Sequence, residues 1–297
     1  VRTLFLQQLV NGLTLGSIYA IVALGYTLVF GVLEIINMAH GAIFMFGAFI
    51  GLMMITTFKV PLWIAMIGAI IVTAFLGLLM ERIALNPLRR RAGVSHLAPL
   101  ISTIGVSIIL ENLAHKLFGA ETQPFPVSFA EISYEIGNVK IYLVQITIFF
   151  ISVALMVGLQ IWLGKTKAGK ALRATAENME TAGLLGVNTG RMITLTVVIA
   201  SAMGGIAGVL VGMAFNAVSP QMGLSMGLKG LAIIILGGMG NVNGAMVGGL
   251  ILGITEVFSV AYGDSGYRDA IAFLIIIVIL LVRPQGIFGE KLPGVRR

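Results

Sequence analysis

Few residues in this 297-residue chain have the types and spacing that covalent chemistry needs. Gly164-Lys165-Thr166-Lys167-Ala168-Gly169-Lys170-Ala171 comes within one position of the phosphate-binding pattern G-x-x-x-x-G-K-[ST]. Ala171 cannot offer the hydroxyl that would hold magnesium, and an apolar segment precedes the motif where a β-strand is needed, so ATP is not bound by that route. Gly238-Met239-Gly240-Asn241-Val242-Asn243-Gly244 has the wrong spacing for a dinucleotide fingerprint. The chain has no cysteine, which excludes disulfides and thiol catalysis, and His40, His96 and His115 are too far apart for a zinc motif. Glu111 and Glu256 lie inside apolar stretches, but each is isolated, whereas membrane-embedded enzymes need clustered carboxylates or a nucleophile beside a base.

The remaining polar residues sit at interruptions of apolar runs. Glu34 to Gly41, EIINMAHG, places Asn37, His40 and Gly41 just before a small-residue helix. The run 228–238 is eleven residues, about 16 Å as a helix against a hydrocarbon core of about 30 Å, and the glycines and asparagines after it should end the helix. Exposed backbone in lipid is costly, so such breaks are expected where protein or a polar pathway covers them. The neutral side chains of Asn37, His40, Asn241 and Asn243 can replace water around a solute without holding it tightly. Segments 28–51 and 232–253 form a weak internal repeat. Glu111 and Glu256, each within about two turns of the end of its span, are either structural hydrogen-bonding groups or face that pathway.

The longest polar interruption runs from Gly164 to Arg191. Ala171 to Glu177 suits a helix, Asn178 interrupts, and Glu180 to Leu185 suits a second short helix ended by Gly186. A solvated connector needs no such pair with Met179, Leu184 and Leu185 exposed between charges. The arrangement points to a docking element for a partner.

The elements that must position these residues follow from composition. The chain is 58% hydrophobic and 10% charged, against roughly 25% charged in a soluble domain, so there is too little charge to build a water-facing shell. The expected fold is an all-α polytopic membrane protein of about eight or nine transmembrane or half-membrane helices with broken, Gly-rich segments, in a single transmembrane domain over 1–297. The first run, 5–32, is long enough to contain a break, and the N-terminal stretch reads as part of that span, not as a removable signal. Thirteen Lys and Arg, including Arg82, Arg89, Arg90, Arg91, Arg173, Arg191, Lys291, Arg296 and Arg297, fall on one side, and six, including Lys59, Lys140 and Lys229, on the other. Positive loops stay cytoplasmic, which sets the C-terminus inside and the N-terminus outside. The net charge of +7 therefore reports orientation and not a nucleic-acid surface. Glycines at four-residue spacing, such as Gly12 and Gly16 or Gly204, Gly208 and Gly212, are expected to serve internal helix packing.

The segments NGLTLGSIYAIVALGYTLVFGVLEIINMAHGAIFMFGAF, GKALRATAENMETAGLLGVN and ILGGMGNVNGAMVGGLILGITE, with LISTIGVSIILENLA and the closing RPQGIFG, resemble the permeases of branched-chain amino-acid ABC importers, the LivH type. Permeases of urea and short-amide importers share much of the pattern. The resemblance implies a half-pore in a bacterial inner membrane, moving mainly neutral amino acids, joined to a homologous second permease, two ATP-binding cassette subunits and an external substrate-binding protein. ATP and magnesium would sit on the partner ATPases and no cofactor on this chain. Arg173, Glu177 and Glu180 would contact the rim of a cleft on the ATPase, with Met179, Leu184 and Leu185 filling it. The outer loop at 119–140, with Glu121, Glu131 and Glu135, would face the binding protein. The rival is a secondary transporter or channel using Glu111 or Glu256 as proton carriers, which leaves the 164–191 loop without a purpose.

Overall fold

A computed structural model describes residues 2–89, 97–127, 129, 131–137, 139–263, 266 and 268–289. His96 and the loop charges Arg90, Arg91, Asp264, Glu290, Lys291, Arg296 and Arg297 lie outside the described residues. The chain is built from α1 (Arg2–Leu33), α2 (Ala39–Thr56), α3 (Leu62–Met80), a π-helical turn (Glu81–Leu85), α4 (Asn86–Arg89), α5 (Ala98–Phe118), α6 (Leu143–Lys165), α7 (Lys167–Glu177), α8 (Met179–Leu184), α9 (Thr189–Phe215), α10 (Met222–Gly237), α11 (Val242–Tyr262) and α12 (Arg268–Val282). Among the described residues seven helices are long and apolar enough to cross a membrane, and α10 is a shorter apolar helix. The chain is an all-α polytopic membrane protein. At one end, β1 (Gln123–Pro124) pairs antiparallel with β4 (Ala217–Val218), and β2 (Ser133–Ile136) with β3 (Val139–Tyr142).

No proline or polar run interrupts Arg2–Leu33, and α1 is one continuous helix at the centre of the bundle, with Ile18, Ala20, Ile21, Ala23 and Leu24 fully buried. It packs on α9, α10 and α11. Lipid offers apolar side chains nearly the same environment as a neighbouring helix does, so close backbone approach must hold such helices together. A methyl group on Gly12 would lie 2.8 Å from Ile254 Cα, and one on Gly16 would lie 2.8 Å from Leu250 Cα. On α9, Gly204 faces His40, Gly208 faces the α2 backbone, and Gly212 lies against the Phe125 ring. The glycine stripes are internal seams. Helices α3 and α5, by contrast, leave Ile71, Phe75, Ile101 and Ile109 exposed, as a lipid-facing layer should.

The second broken region differs from expectation. Helix α10 begins at Met222, so it spans 16 residues instead of eleven, about 24 Å of rise. Gly223, Ser225 and Gly227 dilute the apolar run in sequence, yet they continue the helix because small residues let α10 lie against Gly41 of α2. Gly238, at φ +105, ends α10, and Gly237 meets Gly244 as α11 folds back. Helices α1 and α2 form no such hairpin, since α2 packs on α3 and α9 instead. The two breaks share residue types and not a fold.

Candidate translocation surface and projecting helices

The first break is pinned at both sides. Asn37 Oδ1 accepts from the Ala39 amide at 3.1 Å, and the Met38 amide donates to Thr103 Oγ1 of α5 at 3.2 Å. Among the described residues Asn37 Nδ2 is buried with no hydrogen-bond partner, and the buried His40 ring lies against the Val22 backbone. Buried polar atoms are usually paired, so Asn37 Nδ2 marks a place whose polarity packing does not explain. The His40 ring meets Tyr26 edge-on, centroids 4.6 Å apart at 72°, in space left by Gly25 and Gly204. Gly41 packs on Gly223 and Gly227. Asn37, His40 and Gly41 thus occupy one enclosed junction of α1, α2, α9 and α10.

Beside that junction, α5 and α10 flank an open groove of about 210 Å³. Glu111 and Ser107 from α5, Met38 from the break, and Leu224 and Leu228 from α10 line it, with Tyr26 at its base. Glu111 is therefore brought to the first break, although 70 residues separate it from Gly41.

The second break does not join them. Asn241 caps α11 by accepting from the Gly244 amide at 2.9 Å, and its Nδ2 donates to the Phe288 carbonyl at 3.2 Å. Asn243 Oδ1 accepts from Gln160 of α6. The Ile287 and Phe288 amides donate to the carbonyls of Leu236 and Gly237 at 2.8 and 2.9 Å, so the chain after α12 satisfies the end of α10. Among the described residues no hydrogen bond links Asn241 or Asn243 to Asn37 or His40.

Glu256 is fully buried and paired. Lys229 Nζ lies 2.9 Å from its Oε1, and the Tyr19 hydroxyl lies within 3.0 Å of both carboxylate oxygens. The same ammonium reaches Asp269 Oδ1 at 2.9 Å. Lys229, counted with the outer-side charges and within the run 228–238, lies inside α10 with only 8% of its side chain exposed, so it is a buried partner and not a topology signal. The missed signal was its position, one residue before Gly230 in a helix of small and apolar residues, where an ionisable group calls for a named partner. A second hidden pair joins Glu81, buried in the π-helical turn, to Arg89 at 3.1 Å.

At the strand end, Gln7 of α1 clamps β3, donating to the Lys140 carbonyl at 2.8 Å and accepting from its amide at 2.9 Å. The hydrogen bond from Lys140 to Glu135 raises that lysine's pKa above its ordinary value.

At the opposite end, the two helices expected between Gly164 and Arg191 are present as α7 and α8. Thr166 caps α7, accepting from the Gly169 amide at 2.9 Å, and Asn178 caps α8, accepting from the Thr181 amide at 2.8 Å. Gly186, at φ +87, takes the left-handed turn that frees the chain to enter α9, capped by Asn188. Leu184 and Leu185 are 84% and 79% exposed at the tip, with Met179, Glu177, Glu180 and Arg173 around them. The near-phosphate-loop residues lie across the end of α6 and the start of α7, in helix and not in a strand-to-helix loop.

A broken-helix bundle with a mainly apolar groove carrying Glu111 and Ser107 at one helix break, and a charged helix pair with an exposed apolar tip at one end, defines a multi-pass membrane protein of the transport-subunit class. The chain belongs to the family described as branched-chain amino acid transport system / permease component, whose model matches residues 8–280. It is 40% identical over 299 residues to the high-affinity branched-chain amino acid transport system permease protein BraD of Pseudomonas aeruginosa, covering 96% of each chain. The corresponding permease LivH of Escherichia coli K12 is 39% identical over 299 residues, again with 96% of each chain covered. More distantly, the ribose import permease protein RbsC of Haemophilus influenzae is 21% identical over 295 residues, 96% of this chain and 87% of that one. No solved structure matches.

Proposed function

We propose that this chain is one of two permease halves of an importer that moves branched-chain amino acids by ATP-driven alternating access. Its partners would be a homologous permease, two ATP-binding cassette subunits that carry ATP and magnesium, and an external binding protein that holds most of the recognition energy. The arginine-rich end, with α7 and α8, faces the cytoplasm of a bacterial inner membrane, and the C-terminus lies on the same side.

The observation that carries this is the helix pair itself. It is well capped and tied to the bundle, yet it presents two leucines to solvent where no fold-internal purpose uses them. A push on α8 has a rigid route inward. The Val187 amide donates to the Ala182 carbonyl at 3.0 Å, binding α8 to the entry of α9. Helix α9 meets α2 backbone to backbone at Gly205 and Gly208, and α2 begins at the junction beside the α5–α10 groove. Close backbone contact transmits a shift without being absorbed by side-chain rotation, and small helix shears of this kind are a common means of switching. The groove, with Glu111, Ser107 and the Asn37–His40 junction behind it, is this half of the pathway, and the second permease closes it.

The chain's lack of cysteine makes a direct test available. A single cysteine at Glu180 should crosslink in membranes to a cysteine on the ATPase in a nucleotide-dependent way. Absence of any crosslink, together with uptake that survives ATP depletion, would favour a secondary transporter.

A further inference from the structure

We propose that a cavity between the π-helical turn with α4 on one side and the start of α9 on the other, at the α7–α8 end, is a binding site for the headgroup of an anionic phospholipid. The cavity is about 600 Å³ and is lined by Arg82, Arg89, Arg191, Asn86, Asn188 and Glu81. Three guanidiniums face one carboxylate, and that carboxylate is already committed to Arg89 at 3.1 Å. Among the described residues Arg82 and Arg191 have no ion-pair partner. Guanidinium forks bind phosphate oxygens two at a time, and the Asn188 amide nitrogen adds a donor that suits a phosphodiester.

The rest of the lining selects an amphiphile over a free anion. Leu195 and Val198 stand four and seven residues beyond Arg191 on α9, so they share its helix face and continue the cavity as an apolar wall. Ile71, Phe75 and Leu79 of α3 stand at four-residue spacing that continues to Ile83, next to Arg82, and all four are exposed. A charged head held by the arginines would lay its acyl chain along that stripe. Basic pockets between membrane helices near the headgroup level are suited to this ligand. The site also joins two mechanically distinct parts, because Arg82 lies in the π-helical turn and Asn86 follows it, while Asn188 and Arg191 begin the helix to which α8 is bound. A bound lipid would bridge them.

The test is native mass spectrometry of the full chain, delipidated and then offered equal phosphatidylglycerol and phosphatidylcholine with matched acyl chains. Each basic side chain near an anionic headgroup contributes about fivefold in preference. The parent protein should retain phosphatidylglycerol, and Arg82→Gln with Arg191→Gln should lose at least about fivefold of that preference. Lys165→Gln, which removes a charge at the same end outside the cavity, should keep it. The double variant Arg82→Lys with Arg191→Lys keeps both charges and should keep much of it, which separates loss of charge from misfolding. No preference in the parent, or full preference in the glutamine variant, overturns the proposal. So does glycerol phosphate displacing the lipid and binding with the same arginine dependence, which would assign the cavity to a soluble anion. Loss of ATPase association by the glutamine variant with lipid retention unchanged would assign it to a protein contact.

Discussion

Lys229 Nζ and Glu256 Oε1 lie 2.9 Å apart inside the bundle, and this pair ties α10 to α11 while Tyr19 of α1 binds the same carboxylate. Removing one partner of such a pair strands a charge away from water, at a cost of about 3–5 kcal/mol. Glu256→Gln and Lys229→Met should each lower the melting temperature in detergent sharply. The double variant Lys229→Met with Glu256→Leu should recover most of the loss, since two apolar groups need no partner. Asp269 is 63% exposed, so Asp269→Asn should change stability by no more than about 1 kcal/mol. Equal losses for all three single variants would mean that the network does not sit where its burial places it.

The glycine seams make a sharper prediction, because glycines in one chain differ in what surrounds them. A methyl group at Gly205 would meet the Ala69 carbonyl at 2.9 Å as well as the Thr73 side chain, and one at Gly12 would meet Ile254 Cα. At Gly105 and Gly158 it would meet nothing within 4 Å. Gly205→Ala and Gly12→Ala should each cost about 1–3 kcal/mol through overpacking. Gly105→Ala and Gly158→Ala should be neutral or slightly stabilising, as alanine is the better helix former by about 1 kcal/mol. Thermal melts of the four variants provide the comparison.

Much of this was legible because lipid imposes one rule along the whole chain. Most helix positions followed from apolar length, and Asn178 and Gly186 marked the break between α7 and α8 and the end of α8. What sequence could not supply was pairing across the bundle. Lys229 and Glu256 are 27 positions apart, and Tyr19 lies 237 positions from the carboxylate it binds. The place of Lys229 among small and apolar residues signals that it needs a partner, but nothing local names Glu256 as that partner. The start of α10 was missed for a related reason: Gly223 and Gly227 lower hydropathy, yet they are the residues that let α10 reach α2. The breaks were found, but their separation was not, because Asn241 and Asn243 spend their hydrogen bonds on Phe288, Gly244 and Gln160.

Glu111 offers a test of the groove. It is partly buried on α5, facing α10 and the first break across the cavity, so its replacement should affect what passes and not whether the helix packs. Glu111→Leu should leave the melting temperature close to the parent value while reducing uptake in reconstituted vesicles by about tenfold, equivalent to about 1.4 kcal/mol. Glu111→Gln, which keeps size and polarity, should fall between the two. Normal uptake by Glu111→Leu would move the pathway away from the α5–α10 groove.

The projecting helices can be separated from the fold in the same way. Leu184 and Leu185 are almost wholly exposed, so replacing them removes little internal packing, and surface changes of this kind usually stay within about 0.5 kcal/mol. A buried apolar anchor at an interface, by contrast, contributes about 2 kcal/mol or more. Leu184→Asp with Leu185→Asp should therefore yield a protein that inserts and melts like the parent but copurifies poorly with ATPase subunits and supports little uptake. Ala182, buried at the base of α8, is the control for the opposite case: Ala182→Asp should unfold the pair and lower stability as well. If the leucine variant bound ATPase normally and transported at the parent rate, the exposed tip would not be the coupling surface, and the apolar side chains at 184 and 185 would need another partner.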